Sequence, residues 1–286
     1  MTTVYEFDHR DRRWFGFEEP GAAKGAVRLY PCGPGELASL LADAEGDVTA
    51  LTSGREPVEV PAADREALRA RVPLLPGHLG DALVSGFMMT HNVKIGTVTA
   101  DQPTWFFKGL GERLRLPGEP LSVPGDAVAV CEEAEVVLVY VGAPGTGRPR
   151  YAGYTFGNDL TDIGRFKQHN GHLSYAKLCD AAIAPGLRLG PPPAQVTGAT
   201  TIERDGVSVW KGTFTTGTDA LYYDLDTMMT NLFGYETLHT PGRVHYVYLG
   251  ADRGSFHGGH VMADGDRVTL DFSSHGVTLA NTVARS

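Results

Sequence analysis

Residues 132–159 read EEAEVVLVYVGAPGTGRPRYAGYTFGND. Within them 134–141 is an apolar, β-branched run of strand composition and 151–156 is a second, with the turn composition PGTGRP between. Glu133 and Glu135 flank Ala134 at the head of the first run. On a strand, residues two apart point to the same face. Two carboxylates facing one way at the entry of a buried strand repel each other and are costly to desolvate. A divalent cation resolves that cost. Asp159 follows Asn158 at the end of the second run and supplies a third carboxylate. Three carboxylates with room left for water and substrate oxygens suit Mg²⁺ or Mn²⁺. The same residues also read as a solvated strand edge, Glu132 to Glu135, and a plain turn at Asp159. An E-x-E pattern alone does not choose between the two.

Working outward, further strands are expected at 127–130, 207–213, 244–249 and 267–272, joined by connectors rich in Gly and Pro. Lys167 to Ala182 is the one long irregular or weakly helical stretch in the centre. Toward the N-terminus, Ala26 to Tyr30 and Val48 to Leu51 read as strands. Pro34 to Ala44 reads as a helix, with Leu37, Leu40 and Leu41 on one face. Residues 56–72 mix an extended stretch with a short helix capped near Pro61 to Asp64. The fold class is mixed α/β. We expect a small α/β lead-in domain over residues 1–75 and a large, β-rich domain over 76–286.

Composition narrows the function classes. Of 286 residues 42% are hydrophobic and 21% charged, an ordinary globular balance, and the 36 Gly and 18 Pro argue for many turns. The net charge is −9, from 25 basic and 34 acidic residues, with no clustered basic stripe, which disfavours a nucleic-acid partner. No apolar run approaches the length of a membrane span, and the first twenty residues are too polar and acidic for a signal peptide. Cys32, Cys131 and Cys179 lack metal-type spacing. Three cysteines in a chain of this size fit a reducing compartment, so a cytoplasmic protein is expected.

Five ordered segments extend the picture: EAEVVLVYV, GYTFGND, RFKQ, AKLCD and PGLRLGPP. Upstream lies HNVKIGTVTADQPTWFFKG, and near the C-terminus GDRVTLDFSSHGVTLANTV. Together, from about residue 85 to the end, they resemble the fumarylacetoacetate hydrolase superfamily. The resemblance implies a rolled, mixed β-sheet core that binds one divalent cation, Mg²⁺ or in its place Mn²⁺ or Ca²⁺, usually in a homodimer acting on a small 2-oxo acid. It implies Glu133, Glu135 and Asp159 as metal ligands and Lys177 as the active-site lysine. Arg165 and Gln168 become substrate-binding groups, Lys108 a further base near the pocket and His91 a lid histidine. Elementary chemistry agrees: a 2-oxo acid offers a carboxylate and a keto oxygen to chelate a cation, which then stabilises an enolate. A lysine close to the cation would have its pKa pushed down, and Arg165 could pair with a carboxylate in two-pronged fashion.

Three departures bear on the reaction. Hydrolytic members pair a lid histidine with a glutamate three residues on, whereas His91-Asn92-Val93-Lys94 places a lysine there. A histidine without its carboxylate is a poorer general base. LTDIG lengthens the segment after Asp159 and adds Thr161 and Asp162 to the candidate pocket. The usual Gly-Thr of the C-terminal turn reads Gly250-Ala251, with Ser255 as the nearest replacement hydroxyl. His169, His172, His257 and His260 read as supporting groups rather than ligands. GHLSYAKLCDAAIAPGLRLGPP looks more like the sugar-acid branch of the superfamily, with its dehydratases of 2-keto-3-deoxy acids. We therefore expect a lyase that eliminates water from such an acid. The alternatives are a carbon–carbon hydrolase of acylpyruvates or 2,4-diketo acids, if Glu112 or Asp101 rebuilds the dyad with His91, and a degenerate member that binds a metabolite without turnover.

Overall fold

Strand Ala134–Gly142 lies at the centre of the fold because both its faces are buried. Val136 and Leu138 pack on one side and Val137, Val139 and Val141 on the other, each in a separate hydrophobic cluster. A continuous apolar run, rather than an alternating one, is what a doubly covered strand requires. In the computed structural model, which describes residues 2–18, 27–44, 48–94 and 101–286, this strand pairs antiparallel with Pro149–Asn158 and with Val244–Tyr248. Val244–Tyr248 pairs parallel with Ala82–Met88, which pairs antiparallel with Thr104–Leu110. On the other flank Gly186–Arg188 joins Pro149–Asn158 to Thr3–His9, and the sheet runs on through Arg12–Glu18 and Val27–Pro31 to Val58–Val60. The result is a mixed 13-stranded sheet.

A five-stranded sheet covers one face, ordered Val207–Thr216, Val196–Arg204, Arg267–Phe272, Val277–Arg285 and Pro120–Val123. Phe214, Leu270, Phe272 and Leu279 from it meet Val136, Leu138 and Phe156 in the larger core. Helix Glu36–Ala44 covers the opposite face with Leu37 and Leu41, and packs with Phe15 and Val139. The lead-in residues and the β-rich remainder therefore share one sheet and one apolar cluster.

Several local expectations are met: strands cover 134–142, 149–158, 207–216, 244–248 and 267–272, and the helix begins at Glu36. Ala26 lies outside the described residues, and the strand there is Val27–Pro31. Two expectations fail. Val48–Thr52 is a short helix, not a strand, because Leu51 must turn inward to join Leu37 and Leu41. A short apolar run has no period long enough to tell the two apart. Residues 127–129 are not a strand either, since the Asp162 carboxylate takes the Val128 and Ala129 N–H groups at 3.0–3.1 Å and only Val130–Cys131 pairs. The N-terminal hairpin Thr3–His9/Arg12–Glu18 has no glycine in its turn. Arg10 and Asp11 both take positive φ (51° and 57°), the geometry of a tight two-residue hairpin turn.

Candidate metal centre

The register of the two central strands assembles the acidic cluster. Ala134 faces Asn158 and Glu135 faces Gly157, while the Asp159 N–H donates to the Glu133 carbonyl at 3.0 Å. The Asn158 side chain accepts from the Glu133 N–H, also at 3.0 Å. Glycine at 157 is a requirement of packing, since a Cβ there would lie 2.5 Å from the Tyr248 ring and 2.7 Å from the Ala182 carbonyl. One carboxylate oxygen each from Glu133, Glu135 and Asp159 then lie within 4.8 Å of one another.

Two buried lysines complete the cluster. Lys177, at the end of helix Leu173–Ala176, reaches Asp159 at 2.5 Å, Glu133 at 2.7 Å and the Thr161 hydroxyl at 2.8 Å. Its ammonium also lies 4.3 Å from the Phe106 ring centre. Lys108, from strand Thr104–Leu110, lies 2.7 Å from Asp159 Oδ1 and donates to the Leu160 carbonyl at 2.7 Å. The two glutamates of the motif are driven apart. Burial pushes Glu133 up, but Lys177 and Lys94 outweigh it and bring its carboxyl down to about 2. Burial, then the charges of Asp159 and Glu133, push Glu135 well above the usual carboxylate range. The Gly250 N–H holds one Glu135 oxygen at 2.6 Å, and the other, Oε1, is buried without a hydrogen-bond partner.

That orphaned oxygen tests whether a cation fits. A buried carboxylate oxygen normally finds a donor, and three carboxylates at this separation form an all-oxygen donor set of the kind hard cations take. Glu133, Glu135 and Asp159 fit a hard divalent cation. Lys177 departs from the expected lowered pKa: although burial alone would lower it, Asp159, Glu133 and Glu135 hold it well above the ordinary lysine value.

No family model and no curated protein matches the chain by sequence. Solved structures do match over the whole length. A 2-keto-3-deoxyarabinonate dehydratase superposes with a TM-score of 0.72 at 16% identity, covering 99% of each chain. The 2-keto-3-deoxy-D-arabinonate dehydratase complexed with magnesium and 2,5-dioxopentanoate gives 0.70 over 99% of each chain, again at 16% identity. A 2-hydroxyhepta-2,4-diene-1,7-dioate isomerase from Mycobacterium marinum gives 0.62 at 19% identity, covering 100% of this chain and 99% of its own. The chain has the fumarylacetoacetate hydrolase fold.

Within that fold the remaining expected residues scatter. Thr161 belongs to the cluster, donating to the Asp159 carbonyl at 2.8 Å and to Glu133 at 3.0 Å. Asp162 and Arg165 do not: Asp162 is buried and caps helix Ile163–Gln168, and Arg165 pairs with it at 3.2 Å and with Asp126 at 2.9 Å. Gln168 is exposed at the end of that helix. His91 is buried, with Nε2 3.0 Å from the Thr216 hydroxyl and Nδ1 3.3 Å from that of Thr90. Burial, reinforced by Lys94, lowers its pKa to about 4. Both ring nitrogens thus face hydroxyls rather than Glu112 or Asp101. Residues 95–100 of the expected lid segment lie outside the described residues. Ser255 donates to the buried Glu132 at 2.6 Å and does not stand in for the missing threonine hydroxyl.

A cavity of about 540 Å³ opens against Glu133. Phe166, Trp210, Lys94, Lys167, Arg253 and His257 line it. Sequence reading singled out none of these as a catalytic, binding or metal residue; it noted Lys94 for replacing a glutamate and His257 as a supporting group. They come from four separate segments that only the tertiary fold brings together.

Proposed function

We propose that the protein is a divalent-metal enzyme of the fumarylacetoacetate hydrolase superfamily that eliminates water from a 2-oxo-3-deoxy acid. The observation that carries this reading is the Glu133–Glu135–Asp159 set, with ligand oxygens within 4.8 Å and a buried, unpartnered Glu135 oxygen. A cation held there supplies a Lewis acid for the carboxylate and keto oxygens of the substrate. In the elimination a proton leaves the carbon beside the keto group and a hydroxyl leaves the next carbon, together making one water.

The chain's own residues prepare that step. Lys177 and Lys108 fix the carboxylates of Asp159 and Glu133, and Gly250 holds Glu135 by one oxygen. Phe87, Phe166 and Trp210 supply apolar wall to the cavity. Elimination is favoured over carbon–carbon hydrolysis because His91 is engaged by two threonines, is a weak base at a pKa of about 4 and has Lys94 where a carboxylate would activate it. The similarity to a dehydratase complexed with magnesium and 2,5-dioxopentanoate supports the same class.

A homodimer belongs to this reading, with exposed Phe107, Tyr175 and Leu178 as apolar surface to bury. So does the reducing cytoplasm, which suits three free cysteines. Among the described residues no helix is long and apolar enough to cross a membrane. The test is incubation with 2-keto-3-deoxy acids and 2,4-diketo acids, with Mg²⁺ or with EDTA, and product analysis by mass. Metal-dependent loss of one water is the expected result. Release of pyruvate or another short acid would replace elimination with hydrolysis.

A further inference from the structure

The connector between helix Ile163–Gln168 and helix Leu173–Ala176 carries chemistry that the metal centre does not use. It reads QHNGH from Gln168 to His172, and residues 168–171 are all exposed. Of the five asparagines in the chain, only Asn170 is followed by glycine; the others precede Val93, Asp159, Leu232 and Thr282. Asn158 and Asn281 are buried, and the Asn92 side chain is tied to the Leu221 carbonyl at 3.2 Å. Among the described residues the Asn170 amide has no hydrogen-bond partner. A side chain at 171 would crowd the backbone nitrogen that follows the asparagine, and glycine leaves it open.

His169 supplies a second, independent observation. Its side chain caps the short 3₁₀ helix Asn170–His172 by accepting the Gly171 N–H on Nδ1 at 3.0 Å. A ring nitrogen that accepts a hydrogen bond carries a lone pair, so this bond selects the neutral tautomer protonated on Nε2. The lone pair points at the one proton whose removal makes the Gly171 nitrogen a nucleophile, and the distance is within reach of a general base. Little holds the turn shut. The His172 N–H donates to the His169 carbonyl at 2.9 Å, and the Leu173 N–H to the Asn170 carbonyl.

We propose that Asn170-Gly171 is a self-modifying site at which His169 promotes conversion of Asn170 to aspartate and isoaspartate. The Gly171 nitrogen gives its proton to His169 Nδ1 and its electron pair to Asn170 Cγ. The new nitrogen–carbon bond closes a cyclic imide, and the bond from Cγ to Nδ2 breaks. The side-chain nitrogen leaves as ammonia, carrying the proton that His169 had taken. Solvent water then opens the imide: attack at Cγ gives aspartate, and attack at the main-chain carbonyl gives isoaspartate. The reacting atoms belong to neighbouring residues, so their encounter needs only rotations within Asn170. Either product puts a carboxylate where a neutral amide stood. Isoaspartate also adds a carbon to the main chain ahead of the helix that ends at Lys177.

The test is incubation of the full chain in heavy-oxygen water at neutral pH, then trypsin and mass spectrometry of the peptide 168–177, which Lys167 and Lys177 delimit. The heavy oxygen marks conversion in the folded protein and separates it from any during digestion. Labelled aspartate and isoaspartate are expected at Asn170, while Asn92 and Asn231 stay intact. His169→Ser keeps an acceptor for the Gly171 N–H but removes the base. It should slow the conversion on the order of tenfold, less than a fully evolved general base supplies. Gly171→Ala, whose Cβ would lie 2.8 Å from His169 Nδ1, should nearly stop it. Both positions are exposed, and circular dichroism verifies that each variant stays folded. An Asn170 that lasts as long as Asn92 overturns the proposal. So does a rate unchanged or raised in His169→Ser, since the histidine then only caps the turn. Aspartate without isoaspartate also overturns it, because direct hydrolysis by water would be the route.

Discussion

Glu135 is the residue on which the centre turns. Its neighbours push the carboxyl up, so without a cation it is the protonated, uncharged form that the fold tolerates. Glutamine mimics that form. Glu135→Gln is therefore expected to leave the metal-free melting point nearly unchanged, within about 1 kcal/mol. It should also lower Mg²⁺ affinity about 100-fold, since a ligand is lost. Thermal melts with and without Mg²⁺ measure both, and a variant that still gains full stability from Mg²⁺ would remove Glu135 from the ligand set. Lys177→Met tests the opposite case, because it strips a cation from among buried carboxylates. The metal-free protein should lose about 3–5 kcal/mol, and Mg²⁺ should restore part of it, as read from denaturant midpoints. The Glu133, Glu135 and Asp159 cluster was legible in sequence through the ordered motifs that carry the family resemblance, since the spacing alone also fits a solvated strand edge. Lys167 and Arg253 were not, because no local pattern links a helix end to a loop some eighty residues later.

Among the elements, helix Ile163–Gln168 shows how one side chain can tie two segments together. Asp162 accepts from the Arg165 N–H at the helix start and from the Val128 and Ala129 N–H groups of the facing segment. Its replacement leaves buried donors unpaired as well as removing a cap. Asp162→Ala is expected to cost about 3 kcal/mol, measured by urea unfolding, and to shift Phe166 and Lys167 on the cavity wall. A loss below roughly 0.5 kcal/mol would show that the anchor is not needed. Sequence placed Asp162 in the pocket because the inserted LTDIG supplies a carboxylate beside the motif, and the helix cap claims it instead. The expected strand over 127–130 fails for the same reason. A side-chain acceptor competing for backbone donors is invisible to periodicity. The N-terminal hairpin went unread because Arg10-Asp11 lacks the glycine that usually marks such a turn.

Across the whole molecule, the 13-stranded sheet ties the N-terminal strands to the strands of the acidic cluster. Thr3–His9 pairs with Gly186–Arg188, so the lead-in residues complete the sheet rather than append to it. Calorimetry is expected to show a single unfolding transition, and a chain starting at residue 76 should fail to melt cooperatively. Two separate transitions would instead establish the boundary near residue 75. Acid stability follows from buried histidines. Burial, then Arg243, lowers His245 to about 4 from 6.5, and His91 is lowered similarly. With folded pKa values below the unfolded ones, their contribution is whole above about pH 6.5. It is lost progressively toward pH 4, by on the order of 3 kcal/mol for each histidine. His245→Asn should flatten that part of the stability–pH curve, and an unchanged slope would exclude His245 as its source. Lys177 carries a consequence for the life of the protein. Because the chain brings its own positive charge to the carboxylates, a newly made molecule can fold in metal-poor surroundings and load later. If the proposed metal reading holds, the ion is an exchangeable part, and a chelator is expected to remove any activity reversibly without unfolding the chain.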